Sequence, residues 1–309
     1  MMKCFVAASV VATCIFAGGC GGGGGDMMSD EIARIDRGLV VILPGIEGKG
    51  ISSESIREGL LEGGVSYWIE TFQWGMPVPG LGMAFNQMDV GRNRDQAEKL
   101  AIRIYEYQRA YPGRPIFLVG HSGGSGVAVF ALESMSRLRD AKPVSGAILI
   151  ASSLSANYNL SPALKNTRYG IVSVSNPFDL AVLGIGTAAM GNVDGTRSAS
   201  AGRTGFAMED AKLFKMPVTI SMLRGIRITP HQAATTTSFV RKNIAPWIIH
   251  SPWPPREMLE HLTQQPGKEN NGTRNREPGK TKAEPGTGNS EPGTAATGPA
   301  RPVMGCPRM

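Results

Sequence analysis

Residues 120–124 read Gly120-His121-Ser122-Gly123-Gly124, a serine with glycine two positions before it and two after. A strand-like run, Phe117-Leu118-Val119, leads into the turn, and a long apolar segment of helical character leaves it. In a chain with 40 glycines a bare G-x-S-x-G match arises by chance, so the strand before it and the helix after it carry the argument. Glycines at those two positions remove side chains where strand and helix approach most closely. The helix start turns free N–H groups and a positive dipole end toward the serine. The N–H of Gly123 then suits a developing oxyanion. A hydroxyl is a weak nucleophile at neutral pH and needs a base within hydrogen-bond reach. The chain has four histidines to supply it, at 121, 231, 250 and 261. A thiol nucleophile is excluded, because the four cysteines (Cys4, Cys14, Cys20 and Cys306) all lie near the chain ends. The central region therefore offers no disulfide framework and no thiolate metal site, and neither a metal nor a cofactor is expected.

The elements that must position this serine alternate in type. Residues 39–45 (LVVILPG) form a continuous apolar, β-branched run ended by Pro-Gly, as a buried parallel strand requires. A helix is expected over Ser52 to Leu61, with Ser53 as its cap. Residues 65–74 (VSYWIETFQW) read as a strand and 93–111 as a long amphipathic helix, with Ala97, Leu100, Ala101, Ile104 and Tyr105 on the apolar side. After the strand before the serine and the helix behind it come strands at 144–152 and 170–175. Another is expected at 218–223 (VTISML), then a last helix at 239–249. Strands separated by helices imply a mostly parallel sheet flanked by helices, an α/β domain. Sites in such sheets lie beyond the carboxyl ends of the strands.

On the strength of the strand-turn-helix around Ser122, the region from about 38 to 250 resembles the α/β-hydrolases. The resemblance implies a triad in the chain order Ser, Asp or Glu, His. His231 follows the last strand region and precedes the final helix, where α/β-hydrolases carry the base. His121 lies inside the turn with its side chain expected to point away from that of Ser122, His250 falls after the final helix, and His261 is in the tail. For the acid, Asp179 sits on the turn after the strand at 170–175, where Pro177 ends the strand. Asp194, Asp210 and Asp140 are competitors in less suitable surroundings. Asp179 would fix the His231 tautomer and stabilise the imidazolium. The second oxyanion donor of the fold comes from the loop after an early strand, here LPGIEGKG at 43–50, leaving Ile46 or Glu47, with Ile46 preferred. The Leu-Pro-Gly departs from the His-Gly of many relatives.

Two loops at this edge are apolar and adaptable. Residues 75–88 carry Met76, Met83, Phe85 and Met88, expected to meet an acyl chain or another hydrophobic part of an ester. Residues 180–191 are apolar and glycine-rich. The short spacing between the strands at 144 and 170 leaves no room for a large cap domain. Three readings follow: a serine esterase or lipase working through an acyl-enzyme, a peptidase, thioesterase or acyltransferase using the same triad, and a non-catalytic envelope binding lipoprotein.

The ends are of different material. Residues 1–19 have Lys3 followed by an apolar run too short for a membrane span and read as an export signal. Ala17-Gly18-Gly19-Cys20 resembles a bacterial lipobox, with Ala17 where leucine is commonest. It implies a lipidated Cys20 (palmitate among its chains), a membrane anchor and a place in the bacterial cell envelope. Residues 20–36 would then be a Gly-rich tether, 37–252 the catalytic domain, and 253–309 a disordered tail. That tail repeats Glu-Pro-Gly at 277, 284 and 291. The net charge of +7 is spread along the chain without a basic run interleaved with aromatics, so no nucleic-acid partner is expected.

Overall fold

The structure, a computed structural model, describes residues 24–76, 88–179, 191–225 and 228–262, with side chains from residue 30. Cys20, Met83, Phe85 and the residues after 262 lie outside the described residues, as do the expected export signal at 1–19 and the loop at 180–190. Six strands form one parallel sheet: β1 (Leu39–Leu43), β2 (Trp68–Thr71), β3 (Ile116–His121), β4 (Val144–Ile150), β5 (Thr167–Ser175) and β6 (Leu213–Pro217). Their spatial order is β2-β1-β3-β4-β5-β6. Every neighbouring pair is parallel. This is an α/β fold, a parallel sheet flanked by helices.

Side chains alternate across the sheet, as the two-residue period of a strand demands. Leu39, Val41 and Leu43 of β1 join Ile116 and Leu118 of β3 in a core closed by α3 (Val90–Ala110) and α4 (Gly123–Met135). Val40 and Ile42 join Phe117 and Val119 on the other face. There α2 (Ile51–Glu62), α8 (Thr237–Asn243) and α9 (Ala245–Ile249) cover them. The helix behind the serine, α4, is buried on almost every side. A helix apolar all round belongs in the interior, which accounts for the run Val127 to Leu132.

The structure differs from the expected elements where local chemistry competes with apolarity. The last strand is Leu213–Pro217, not 218–223. As an edge strand it tolerates Lys215 in its middle, and Pro217 is accommodated because its missing N–H falls on the open side, the Val218 N–H donating to the Ser175 carbonyl at 2.7 Å. Residues 220–225 are turns, with Ile220 exposed. The cap of α2 is Gly50 rather than Ser53. Ser53 lies one turn in, its hydroxyl donating to the Gly50 carbonyl and accepting the Gly50 N–H. The expected single helix at 239–249 is two, broken at Pro246 because proline has no N–H to continue the first.

Ordered structure also passes the expected domain limits of 37 and 252. Residues Gly24–Arg37 form α1 where a tether was expected, and the Tyr107 hydroxyl donates to the Ile35 carbonyl at 2.7 Å. Beyond Pro252, Trp253 stacks among Phe117, Tyr169, Phe214 and Trp247. Met258 is buried in the second core. Gly146 of β4 makes room for this: a Cβ there would lie 2.4 Å from the Trp253 ring. No helix among the described residues is long and apolar enough to cross a membrane.

Candidate active site

Ser122 stands between β3 and α4 with φ 51° and ψ −121°. Few non-glycine residues adopt positive φ; holding one there costs about 1–3 kcal/mol and lasts only where the surroundings over-determine it. Here they do. The Ser122 N–H donates to the Ile150 carbonyl at 2.9 Å, and its own carbonyl accepts from Ser125 at 3.1 Å and Ser153 at 3.3 Å. The elbow is thus strapped to the end of β4 and to the first turn of α4. The flanking glycines are steric necessities. A Cβ on Gly120 would meet the Ser125 Cα at 2.7 Å, and one on Gly124 would meet the Leu43 and Pro44 carbonyl oxygens at 2.3 Å.

The contact at Gly124 sets more than the turn. It lets the loop after β1 lie directly on the N-terminus of α4, which brings Ile46 beside Gly123. A Cβ on Gly123 would sit 2.8 Å from the Ile46 Cγ2. Trp74 braces the loop from outside, its indole N–H donating to the Pro44 carbonyl at 2.7 Å. Both residues expected to furnish oxyanion donors are therefore neighbours at the nucleophile.

Asp179 and His231 come together although 52 residues separate them in sequence. Asp179 is 1% exposed, and its Oδ2 lies 2.5 Å from Nδ1 of His231. A carboxylate accepts, so Nδ1 carries the proton and Nε2 presents its lone pair. His231 occupies the one-turn helix α7 (Pro230–Ala233), started by Pro230 at a position where a missing N–H costs nothing. Its ring lies 4.9 Å, centroid to centroid, from the ring of His121, the residue before Ser122. Ser122, Asp179 and the His231 imidazole thus share one edge of the sheet. No hydrogen bond joins the Ser122 hydroxyl to the imidazole, and catalytic hydrogen bonds of this kind tighten in the complex with substrate. Burial pushes the His231 imidazole below its ordinary value; the hydrogen bond to Asp179 pulls it back in part, and His121 adds to the fall.

The competing residues are employed elsewhere. Asp194 accepts from the Ser155 N–H and the Thr196 hydroxyl, and Asp210 from the Lys212 N–H. His250 pairs with Glu257 and His261 with Glu260 on the surface side of the C-terminal segment. Of the proposed substrate contacts, Met76 is half-buried two residues past Trp74 and Met88 is 54% exposed.

Two participants escaped the sequence reading. Asn176, 1% exposed, accepts the Phe178 N–H through Oδ1 at 3.1 Å and donates from Nδ2 to the Pro230 carbonyl at 2.6 Å. Asn-Pro after a strand signals a turn, which could have marked Asn176 as structural, but nothing local points to residue 230. His121 is the other. Its ring is buried between Glu47 and His231 rather than idle in the turn.

No family model matches the sequence, and no curated protein does. Among solved structures the chain is similar to a cutinase-like protein from Cryptococcus sp., at 14% identity over 69% of this chain and 93% of that one, TM-score 0.39. It is also similar to Aspergillus fumigatus lipase B, at 11% identity over 72% of this chain and 55% of that one, TM-score 0.43. A third is the NocB thioesterase domain from the nocardicin cluster, at 15% identity over 66% of this chain and 90% of that one, TM-score 0.33. The chain spans about half the length of the Aspergillus lipase. Similarities this distant carry no argument about roles, which rest on the geometry alone.

Proposed function

We propose that this chain is a serine hydrolase of carboxylic esters, esterase- or lipase-like, acting through an acyl-enzyme with Ser122, His231 and Asp179 as its triad. The observation that carries the reading is Ser122 at φ 51° on the same sheet edge as the Asp179–His231 pair. Strain of that kind, kept at a serine beside a buried carboxylate–imidazole pair, has a use in catalysis and none in packing.

The steps follow from the proton positions. With Nδ1 donating to Asp179, Nε2 of His231 takes the Ser122 proton as Oγ adds to the ester carbonyl carbon. The carbonyl π electrons move to oxygen, and the N–H groups of Gly123 and Ile46 stabilise that oxyanion. On collapse the bond to the leaving alkoxide breaks, and the imidazolium returns its proton to it. Water repeats the sequence on the acyl-enzyme, releasing the acid and restoring Ser122. Asp179 holds the ring and balances its charge without taking the proton. A thioester or amide fits the same steps, so bond type is a matter for assay.

The test is labelling of the full chain with a fluorophosphonate, in wild type, Ser122→Ala and His231→Ala. Labelling of wild type alone supports the hydrolase; equal labelling of Ser122→Ala removes Ser122 as the nucleophile, and an unlabelled wild type leaves the binding-lipoprotein reading. A series of p-nitrophenyl esters then probes Met76, Met83, Phe85 and Met88, and a flat profile from acetyl to long acyl chains counts against an acyl-chain contact there. Lipid anchoring at Cys20 is proposed separately. Cys20→Ser should move the protein from the membrane to the soluble fraction, and unchanged fractionation removes the anchor.

A further inference from the structure

His121 has no place in the steps above, yet only 1% of its side chain is exposed. Its Nε2 lies 3.4 Å from the backbone carbonyl oxygen of His231. A carbonyl only accepts, so the proton belongs on Nε2 in this contact. That leaves Nδ1, which faces Oε1 of Glu47 at 3.5 Å and has no hydrogen bond of its own. An imidazole nitrogen and a carboxylate oxygen both present lone pairs, so they attract only with a proton between them. Glu47 is the residue after Ile46, and its carboxylate folds back over Gly45, where a Cβ would lie 2.2 Å from Oε2. Burial alone would raise the Glu47 carboxyl, but His121 first and His231 behind it hold it below the ordinary range. One chain of contacts thus runs from the loop after β1, through Glu47 and His121, to the backbone of the base.

We propose that Glu47 and His121 form a positioning pair that fixes the oxyanion loop to His231, so that the Ile46 N–H and the His231 Nε2 keep one spacing around Ser122. This rests on the serine-hydrolase reading. Charge separates in the tetrahedral state: the oxyanion forms at the loop while the imidazolium forms at the base. A rigid link between the two removes reorganisation at that moment. The charged or titratable groups facing His231 are Asp179 on the turn after β5, His121 on β3 and Glu47 after β1.

The experiment compares wild type, Ser122→Ala, Glu47→Gln, His121→Gln and the Glu47→Gln/His121→Gln double variant as full chains. The readouts are p-nitrophenyl butyrate hydrolysis and the pH dependence of fluorophosphonate labelling. His121→Gln keeps an amide donor for the His231 carbonyl but offers Glu47 nothing in place of Nδ1. Each single variant should lose roughly ten- to a hundredfold in kcat with little change in KM. The double should be no slower than the worse single, because both break one link. Glu47→Gln should also move the acid limb of labelling to lower pH, since it removes a negative charge that favours the His231 imidazolium. Losses that multiply in the double, or an acid limb that stays put, overturn the pair while leaving the hydrolase intact. A wild type that Ser122→Ala matches in labelling overturns both. Should His121→Gln fail to fold, the pH limb of Glu47→Gln, at a residue one-third exposed, decides alone.

Discussion

The Asn176 side-chain amide donates to the Pro230 carbonyl at 2.6 Å, tying the turn that carries Asp179 to the residue before His231. Asp179 and His231 are therefore held by their backbones as well as by the hydrogen bond between them. Because α7 is a single turn, it cannot hold itself in place. Asn176→Ala should lower kcat roughly ten- to a hundredfold with little effect on KM. Stability should fall by about 1–3 kcal/mol as the Phe178 N–H and the Pro230 carbonyl lose a buried partner. Steady-state kinetics and thermal melts check the two parts separately, and a melt-only effect would make Asn176 purely structural.

Strain at Ser122 should be recoverable as stability. Ser122→Ala and Ser122→Gly both abolish turnover, but only glycine adopts φ 51° without cost. Ser122→Gly should melt higher than Ser122→Ala, by about 1 kcal/mol once the extra chain entropy of glycine is subtracted from the strain. Equal stabilities would mean that the elbow is unstrained.

The pH dependence of acylation follows from the direction of the His231 shift. The folded state disfavours the imidazolium, chiefly through burial, so the neutral base persists below its ordinary value of 6.5. The acid limb of kcat/KM should therefore lie below that pH. Linkage has the same sign: a neutral imidazole favoured on folding contributes stability that is present above the unfolded value and lost as pH falls through the lower, folded one. An acid limb above 6.5 would contradict the burial that the fold imposes on this ring.

Glycines around the elbow separate into two kinds. Gly124→Ala presses a methyl onto two carbonyl oxygens at 2.3 Å, backbone atoms that cannot swing aside, and should cost about 1–3 kcal/mol together with most activity. Gly91→Ala, in the first turn of α3, meets nothing closer than the Asp89 Oδ1 at 3.6 Å. It should be neutral or mildly stabilising through helix propensity. Urea denaturation of the two variants measures the contrast.

The strands β1, β3, β4 and β5, the helix behind the serine and the elbow were legible because each is written in a contiguous, strongly patterned stretch. Apolar β-branched runs allow little but buried strands, and Gly-x-Ser-x-Gly between strand and helix allows little but a sharp turn. Asp179 follows the end of β5, where strand ends of a parallel sheet gather on one edge, whereas His231 lies well past Pro217, beyond the turns at 220–225. β6 was misplaced for the opposite reason. Its middle is Lys215, acceptable only because the strand is at the sheet edge, and edge position is not a local property. Trp253 and Met258, past residue 252, lie in a Pro-rich stretch, and what buries them is distant.

The order of residues alone determined that a hydroxyl is raised between a buried strand and a buried helix, because backbone sterics at Gly120, Ser122 and Gly124 act within a few residues. Tertiary structure alone decided what surrounds it. Asn176 reaches residue 230, and His121 stands between residues 47 and 231, because six strands were laid side by side in an order that the chain does not follow. Side-chain contacts of that range last in a dry interior where polar groups must find partners, and the partners are chosen by the packing of the sheet.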